Sequence, residues 1–342
     1  MTTGATSTRR TGLSIKDVAR LAGVSAQTVS RVSSGSTNVR PETRERVELA
    51  MQQLGYTPNR AARALRVGQT HTIGLMAHRF ERTGEALTMK SVVAAAEQEG
   101  YAVTLIDVVG TSESSWAQRA SRLSEQAMDA LVIIRAEGAA PESLAIAPTL
   151  PIAVSDSRLA GYLPAAIADQ TTGTQEAVQH LLELGHRTVH HISGPVDSVP
   201  AQVRSTAWQQ TLAGAGIRPP QQFVGDWSAR SGYESGRRLA LDPDVSAVFC
   251  CNDETAFGLM RALHEAGRRV PDDVSIIGFD DIGLAEFAAV PLTTVRQDFH
   301  AIGEELVRLV LMQVGGAERH TLGRTTLPTQ FVQRASTAPP RS

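Results

Sequence analysis

Cysteine is almost missing from this chain. The only two, Cys250 and Cys251, are neighbours in sequence and cannot staple distant segments. That excludes a disulfide framework and fits a reducing, cytoplasmic setting. Aromatic residues make up only 4% of the 342 positions. No apolar run is long enough to span a bilayer. Arg9 and Arg10 are followed by no apolar stretch, so no export signal is expected. What is present is ordinary for a folded chain of two or three domains: 42% apolar residues, and 33 Lys plus Arg against 35 Asp plus Glu. Disordered and collagen-like classes are excluded on the same ground.

The near balance of charge conceals an asymmetry. Residues 1–66 hold eleven basic and four acidic side chains, a net of +7, which leaves −9 for residues 67–342. A small basic head on a large acidic body suggests a nucleic-acid-binding module ahead of a domain with another task.

The head reads as helices. Ser14 can cap a helix whose apolar positions are Ile15, Val18, Ala19 and Ala22, and Gly23-Val24-Ser25 supplies a turn and a fresh cap. A second helix from about Ala26 to Ser33 turns Val29 and Val32 inward and leaves Gln27, Ser30 and Arg31 outward. Pro41 opens a third, with Val47, Ala50, Met51 and Leu54 as its apolar stripe and Gly55 as its stop. Two short helices joined by a Gly-containing turn form a helix-turn-helix, whose second helix can enter a major groove. A helical hairpin used for dimerisation is the alternative.

Beyond Pro58, nine residues to Arg66 are too few for a stable isolated helix, yet their composition is helix-compatible, so the segment reads as a hinge that orders on docking. From His71 onward short apolar runs alternate with helical patterns. Strands are expected at Ile73–Met76, Ala102–Val108, Ala130–Ile134, Ile152–Val154, Val189–Ile192, Val248–Cys251 and Ser275–Phe279. Helices are expected at Met89–Glu99, Trp116–Gln126, Gly173–Leu184, Ala201–Ala215 and Thr255–Ala266. This alternation predicts an α/β body of two doubly wound parallel-sheet subdomains behind an all-α headpiece. Such sheets bind ligands beyond the carboxyl ends of their strands, which singles out Asp156, Asn252-Asp253 and Asp280-Asp281.

The runs Ile15-Lys16-Asp17-Val18-Ala19, Ala22-Gly23-Val24-Ser25, Thr28-Val29-Ser30-Arg31-Val32, Pro41-Glu42-Thr43-Arg44, Leu54-Gly55-Tyr56-Thr57-Pro58-Asn59 and Ala62-Arg63-Ala64-Leu65-Arg66 resemble the headpiece of the Lac repressor (LacI/GalR) family of transcription regulators. The likeness continues through Gly194-Pro195, Arg204, Trp208, Gly225-Asp226-Trp227-Ser228-Ala229, Ser231-Gly232, Pro291-Leu292-Thr293-Thr294-Val295 and Gln297-Asp298-Phe299. The effector domain is most similar to that of the repressor for which the family is named.

The resemblance implies a periplasmic-binding-protein-like body and a repressor of near-palindromic operator DNA, released or engaged by a small effector. It implies base contacts from Ala26, Gln27 and Arg31, with Ser30, Asn38 and Arg40 near phosphates or the groove rim. It makes Leu65 a wedge in the minor groove. Asp156, Arg204, Asn252 and Asp280 would hold sugar hydroxyls, with Trp227 and Phe299 as apolar walls. Where the family's namesake carries Ser and Gln, this chain has Pro200 and Glu254, so the effector is expected to be galactoside-like without being fixed. A purine-responsive regulator is the alternative within the family, and a sugar-binding protein without regulatory role the one outside it.

The domains expected are a headpiece at 1–57, a hinge at 58–70 and an effector domain at 71–342. The last divides into one subdomain at 71–168 and 298–326 and another at 169–297 and 327–338. The tail after Val332 has no Leu heptads, so a homodimer is expected. No enzyme is expected, since no Gly-rich dinucleotide loop, P-loop or nucleophile elbow occurs. No metal or cofactor is expected either: His190 and His191 are adjacent on a strand and point to opposite faces.

Overall fold

The computed structural model describes residues 13–33, 38–56, 69–77, 80, 82–107, 127–135, 150–155, 158–318 and 321–341. Residues 58–68 of the expected hinge, Leu65 among them, the helix expected at 116–126 and Asp156 lie outside them. The chain divides into two compact units, 1–70 and 71–342.

In the first unit, α1 (Ile15–Ala22), α2 (Ala26–Ser33) and α3 (Pro41–Leu54) form the three-helix arrangement read from the apolar spacing. Ser14 and Asp17 close a capping box, the Ser14 hydroxyl donating to Asp17 at 2.6 Å and the Ser14 amide at 3.0 Å. The Thr28 amide donates to the Ser25 hydroxyl at 3.1 Å, which starts α2. Gly23 and Gly55 end α1 and α3 in the left-handed region. Arg40 precedes α3 without a side-chain cap, and Pro41 at the first position starts the helix instead. The core consists of Val18, Ala19, Ala22, Val29, Val32, Val47 and Ala50.

The second unit holds two parallel sheets. The first contains β1 (Thr72–Ala77), β2 (Ala102–Asp107), β3 (Ala130–Ile134), β4 (Ile152–Ser155), β5 (Ala165–Ala168) and β11 (Arg324–Leu327), in the order β11-β5-β4-β3-β1-β2. The second contains β6 (His190–Ser193), β7 (Phe223–Val224), β8 (Ala247–Cys250) and β9 (Ser275–Ile277), in the order β7-β6-β8-β9. An antiparallel ribbon of β10 (Thr294–Gln297) and β12 (Thr329–Val332) lies beside β9. In each sheet the strand order reverses once, between β1 and β3 in the first and between β6 and β8 in the second.

Helices α4 (Thr83–Gln98) and α9 (Phe299–Val314) pack together on the first sheet. In the second, α5 (Gln170–Glu183) and α6 (Val199–Gly214) cover one face, and α7 (Ala229–Leu239) and α8 (Asp253–Glu265) the other.

Where the sequence and the structure part, the reason is local. Helix α4 begins six residues before Met89 because its first turn is polar: Glu85 is buried and ion-paired, which hides the helix from an apolar pattern. Helices α5 and α8 begin early because Asp169 and Asn252 cap them, accepting from the Thr172 and Thr255 amides at 3.0 and 3.1 Å. Helices α7 and α9 and the short strands β5, β7, β10, β11 and β12 have no counterpart in the strand and helix pattern read above.

Candidate functional site

Both sheets turn the carboxyl ends of their strands toward one cleft of about 300 Å3, lined by Arg82, Thr83, Gly84, Arg135, Asp226, Trp227, Ser228, Asn252, Glu254 and Asp280. The first sheet contributes the start of α4 and Arg135, the residue after β3. The second contributes loops after β7, β8 and β9. Residues after β1, β3 and β8 flank the two points where strand order reverses, the place where open α/β sheets bind ligands.

The backbone is strained here and in few other places. Of the five non-glycine residues with positive φ among the described residues, Arg135 (48°), Trp227 (75°) and Asp280 (106°) line the cleft. Such conformations persist only where surrounding structure enforces them, and they concentrate at ligand sites.

The surroundings that enforce them can be named. The Asn252 side chain donates to the Trp227 carbonyl at 2.9 Å and to Glu254 at 2.8 Å, while its own oxygen accepts from the Thr255 amide and hydroxyl. Asn252 therefore caps α8 and pins the tryptophan loop in one stroke. Trp227 lies against Gly194, where a Cβ would fall 2.7–2.9 Å from the indole. The Arg135 guanidinium lies 5.2 Å from the ring centroid, so a cation of one subdomain faces the indole of the other across the cleft. The indole N–H is buried and finds no acceptor among the described residues.

Charge is divided between the walls. Arg82 and Arg135 both reach the buried Glu85, at 3.4 and 3.7 Å. Opposite them, Asp280 accepts from Gln297 at 2.5 Å and pairs with Arg204 at 3.5 Å. Burial pushes the Asp280 carboxyl up to about 6, only partly offset by the Arg204 charge. Burial also raises Asp226, but hydrogen bonds from the Ser228 hydroxyl and amide and from Ser231 outweigh it and hold the carboxyl below its ordinary value. Asp253 takes no part in the lining. It accepts from Thr294 at 2.6 Å and from the Ile282 amide at 2.8 Å, and burial followed by the nearby Asp280 charge drives it well up.

The structure places Trp227, Asn252 and Asp280 on the cleft and Arg204 and Phe299 behind it. Arg204 is fully buried. Its Nε donates to Gln170 at 2.7 Å, Nη1 donates to the Cys251 carbonyl, and its plane covers Phe279 at 3.6 Å. Phe299 starts α9 and supports Gly84 from beneath. Asp281 turns away to Arg296 and Arg334, both at 2.7 Å. Arg82, Gly84, Arg135, Asp226 and Ser228 escaped the sequence reading. Arg135 carried the required signal, a polar residue directly after an apolar run.

On the headpiece, Gln27 and Arg31 are exposed one turn apart on α2, Ala26 and Ser30 are half-buried beside them, and Asn38 and Arg40 are exposed. His191 is buried and neutral, pushed down to about 4 by desolvation, with Nδ1 at 2.9 Å from the Phe249 carbonyl. Among the described residues no cluster of His, Cys, Asp or Glu is placed to hold a metal, and no helix is long and apolar enough to cross a membrane.

Residues 14–59 match the model of bacterial regulatory proteins of the lacI family, and residues 178–337 match a periplasmic binding protein-like domain. The lactose operon repressor of Escherichia coli K12 is 33% identical over 341 residues, covering 96% of this chain and 92% of its own. The chain belongs to the lacI family of bacterial regulatory proteins. Another relative, the HTH-type transcriptional regulator CelR of Thermobifida fusca, is 34% identical over 96% of this chain and 99% of its own. Among solved structures, the Lac repressor dimer bound to operator and the anti-inducer ONPF superposes with a TM-score of 0.84 at 31% identity, over 95% of this chain and 99% of that one. A CelR–cellobiose complex gives 0.71 at 30% identity over the same shares. The helix-turn-helix ahead of a two-sheet body is thus the family's architecture.

Proposed function

We propose that this protein is a sequence-specific transcriptional repressor, homodimeric and cytoplasmic, whose affinity for operator DNA is set by a small sugar held in the cleft. One observation carries the reading: a cleft built from both subdomains, with an indole on strained backbone and polar side chains at its wall, is joined in one chain to a headpiece that exposes Gln27 and Arg31 on its second helix. The relatives support the parts, operator and ONPF in the Lac repressor dimer and cellobiose in CelR.

In this reading residues 1–57 bind DNA, 58–70 form the hinge with Leu65 as wedge, and 71–342 bind effector and dimerise. Gln27, Arg31 and Ala26 face base edges, and Ser30 and Asn38 lie at the backbone. Trp227 offers its face to the C–H side of a sugar, and Asn252, Asp280 and Asp156 bind hydroxyls. Arg204 and Phe299 act from behind, holding Asp280 and Gly84 in place. Because ligands come from both subdomains, binding favours one relative arrangement of the two, and that preference is what reaches the DNA-binding unit.

A thermal-shift screen of sugars, cellobiose included, against wild type and Trp227→Ala tests this. A sugar that raises the melting temperature of wild type and leaves the variant unmoved supports it. Stabilisation by nucleobases and by no sugar moves the assignment to a purine-responsive regulator.

A further inference from the structure

Behind the cleft, four side chains close a ring. The Arg204 Nε donates to the Gln170 carbonyl oxygen at 2.7 Å. The Gln170 amide donates to the Gln297 carbonyl oxygen at 3.0 Å, the Gln297 amide donates to Asp280 at 2.5 Å, and Arg204 Nη2 returns to the same Asp280 oxygen at 3.5 Å. All four are buried. A guanidinium can only donate and a carboxylate can only accept, so both amides are forced into one orientation and the chain of bonds has a single direction.

The ring's two glutamines occupy particular positions. The chain passes between the sheets three times: from β5 into α5 at Asp169, from β10 into α9 at Asp298, and from β11 into β12 between Leu327 and Thr329. Gln170 is the first residue after the first crossing and Gln297 the last before the second. The crossings are also tied to one another. The Asp169 amide donates to the Leu327 carbonyl at 2.8 Å, the Thr329 hydroxyl donates to the Asp169 carbonyl at 3.1 Å, and a Cβ at Gly173 would fall 2.6 Å from both Thr329 and Val295. Any reorientation of the two sheets is absorbed at these segments.

We propose that Gln170 and Gln297 are positioning residues that tie the state of the Asp280 carboxylate, on the cleft wall, to the segments where the chain crosses between the sheets. This builds on the reading of the cleft as the effector site. Asp280 is the member of the ring that lines the cleft, and both ring bonds end on its Oδ1, so a hydroxyl that engages this atom competes with Gln297 and Arg204 for it. Weakening those bonds frees the Gln297 amide, then Gln170, and so loosens the start of α5 and the end of β10. The route is contiguous and has one direction, which makes it testable by a double-mutant cycle.

Amide hydrogen exchange of the full chain without any ligand is the test, using wild type, Asp280→Asn, Gln170→Met and the double variant. The reporters are the Thr172 and Gly173 amides, bonded to Asp169 at the start of α5. With Gln170 in place, Asp280→Asn accelerates their exchange about tenfold, the worth of roughly one buried hydrogen bond. In the Gln170→Met background the same change alters exchange by less than about twofold. Amides in the middle of α8 stay unmoved in all four. Equal acceleration in both backgrounds overturns the proposal, because Asp280 then reaches α5 without Gln170. Should Gln170→Met fail to fold, Gln170→Glu serves the same cycle: it keeps an acceptor for Arg204 and removes the donor to Gln297. No sugar enters the experiment, so a protein that binds none refutes the effector reading while this cycle is decided by itself.

Discussion

The fully buried side chains of the headpiece are no larger than valine, whereas those of the body include Trp208, Phe249, Phe279 and the guanidinium of Arg204. The contrast extends to their working surfaces. On the headpiece, Gln27 and Arg31 sit on one short helix, placed by its own periodicity and caps. In the body, the cleft is assembled from five separate stretches of chain, and its geometry depends on bonds between residues far apart in sequence. A small domain that reads DNA needs only to hold one face outward, at the cost of low stability of its own. A site that must sense its occupant needs charged groups in the interior, and these carry larger penalties when broken.

The sharpest way to break that contrast is to remove Arg204. Arg204→Met leaves Asp280 without its cation and Gln170 and the Cys251 carbonyl without a donor, so urea unfolding of the body loses about 3–5 kcal/mol. A loss under about 1 kcal/mol would show that the ring is not structurally coupled.

Acid comes next. Burial lowers the His191 pKa in the folded state to about 4, below its unfolded value. Its stabilising contribution is therefore present above the unfolded value and is lost as pH falls through that window. Asp280 behaves oppositely: its folded value of about 6 lies above the ordinary carboxylate value of 3.8, so its contribution is present at acid pH and is lost as pH rises toward 6. His191→Gln should relieve the acid loss, a gain approaching about 3 kcal/mol near pH 4 relative to the change at pH 8. Urea midpoints across that range check it, and parallel curves for variant and wild type would contradict it.

In the headpiece, Val47→Ala removes two methyl groups from a fully buried core position and costs about 2 kcal/mol. Operator binding should fall with it while sugar affinity of the body stays unchanged, as paired gel-shift and calorimetric titrations would show. A matching loss of sugar affinity would erase the separation between the units. The smallest effect expected is that of Arg31→Ala, about 1–2 kcal/mol at one base position per half-site. Equal losses on selected and scrambled duplexes would assign Arg31 to the phosphates.

Legibility followed the same division. The headpiece was readable almost to the residue, because Ser14, Gly23, Ser25, Pro41 and Gly55 punctuate it locally. In the body, strands β1 to β4, β6, β8 and β9 were visible as apolar runs, and Asn252 and Asp280 as polar residues at their ends. Helix α7 was hidden by its scarcity of apolar residues, and β5 by its run of alanines. Arg82 and Gly84 reach the cleft only because α4 starts where no periodic signal exists. The ring behind the cleft had no local signal as a ring: Asp280 stood out at the end of an apolar run, but Gln170, Arg204 and Gln297 join it only once the second subdomain is folded.

In the proposed repressor, occupancy of the cleft and DNA binding by the headpiece are one equilibrium. This coupling is tested most directly by titrating an identified sugar into the protein alone and into its complex with a near-palindromic duplex selected from a randomised pool. Linkage requires the two sugar dissociation constants to differ by the same factor by which the sugar changes the duplex dissociation constant, about 5–150-fold. Identical sugar affinities with and without duplex would show two independent equilibria.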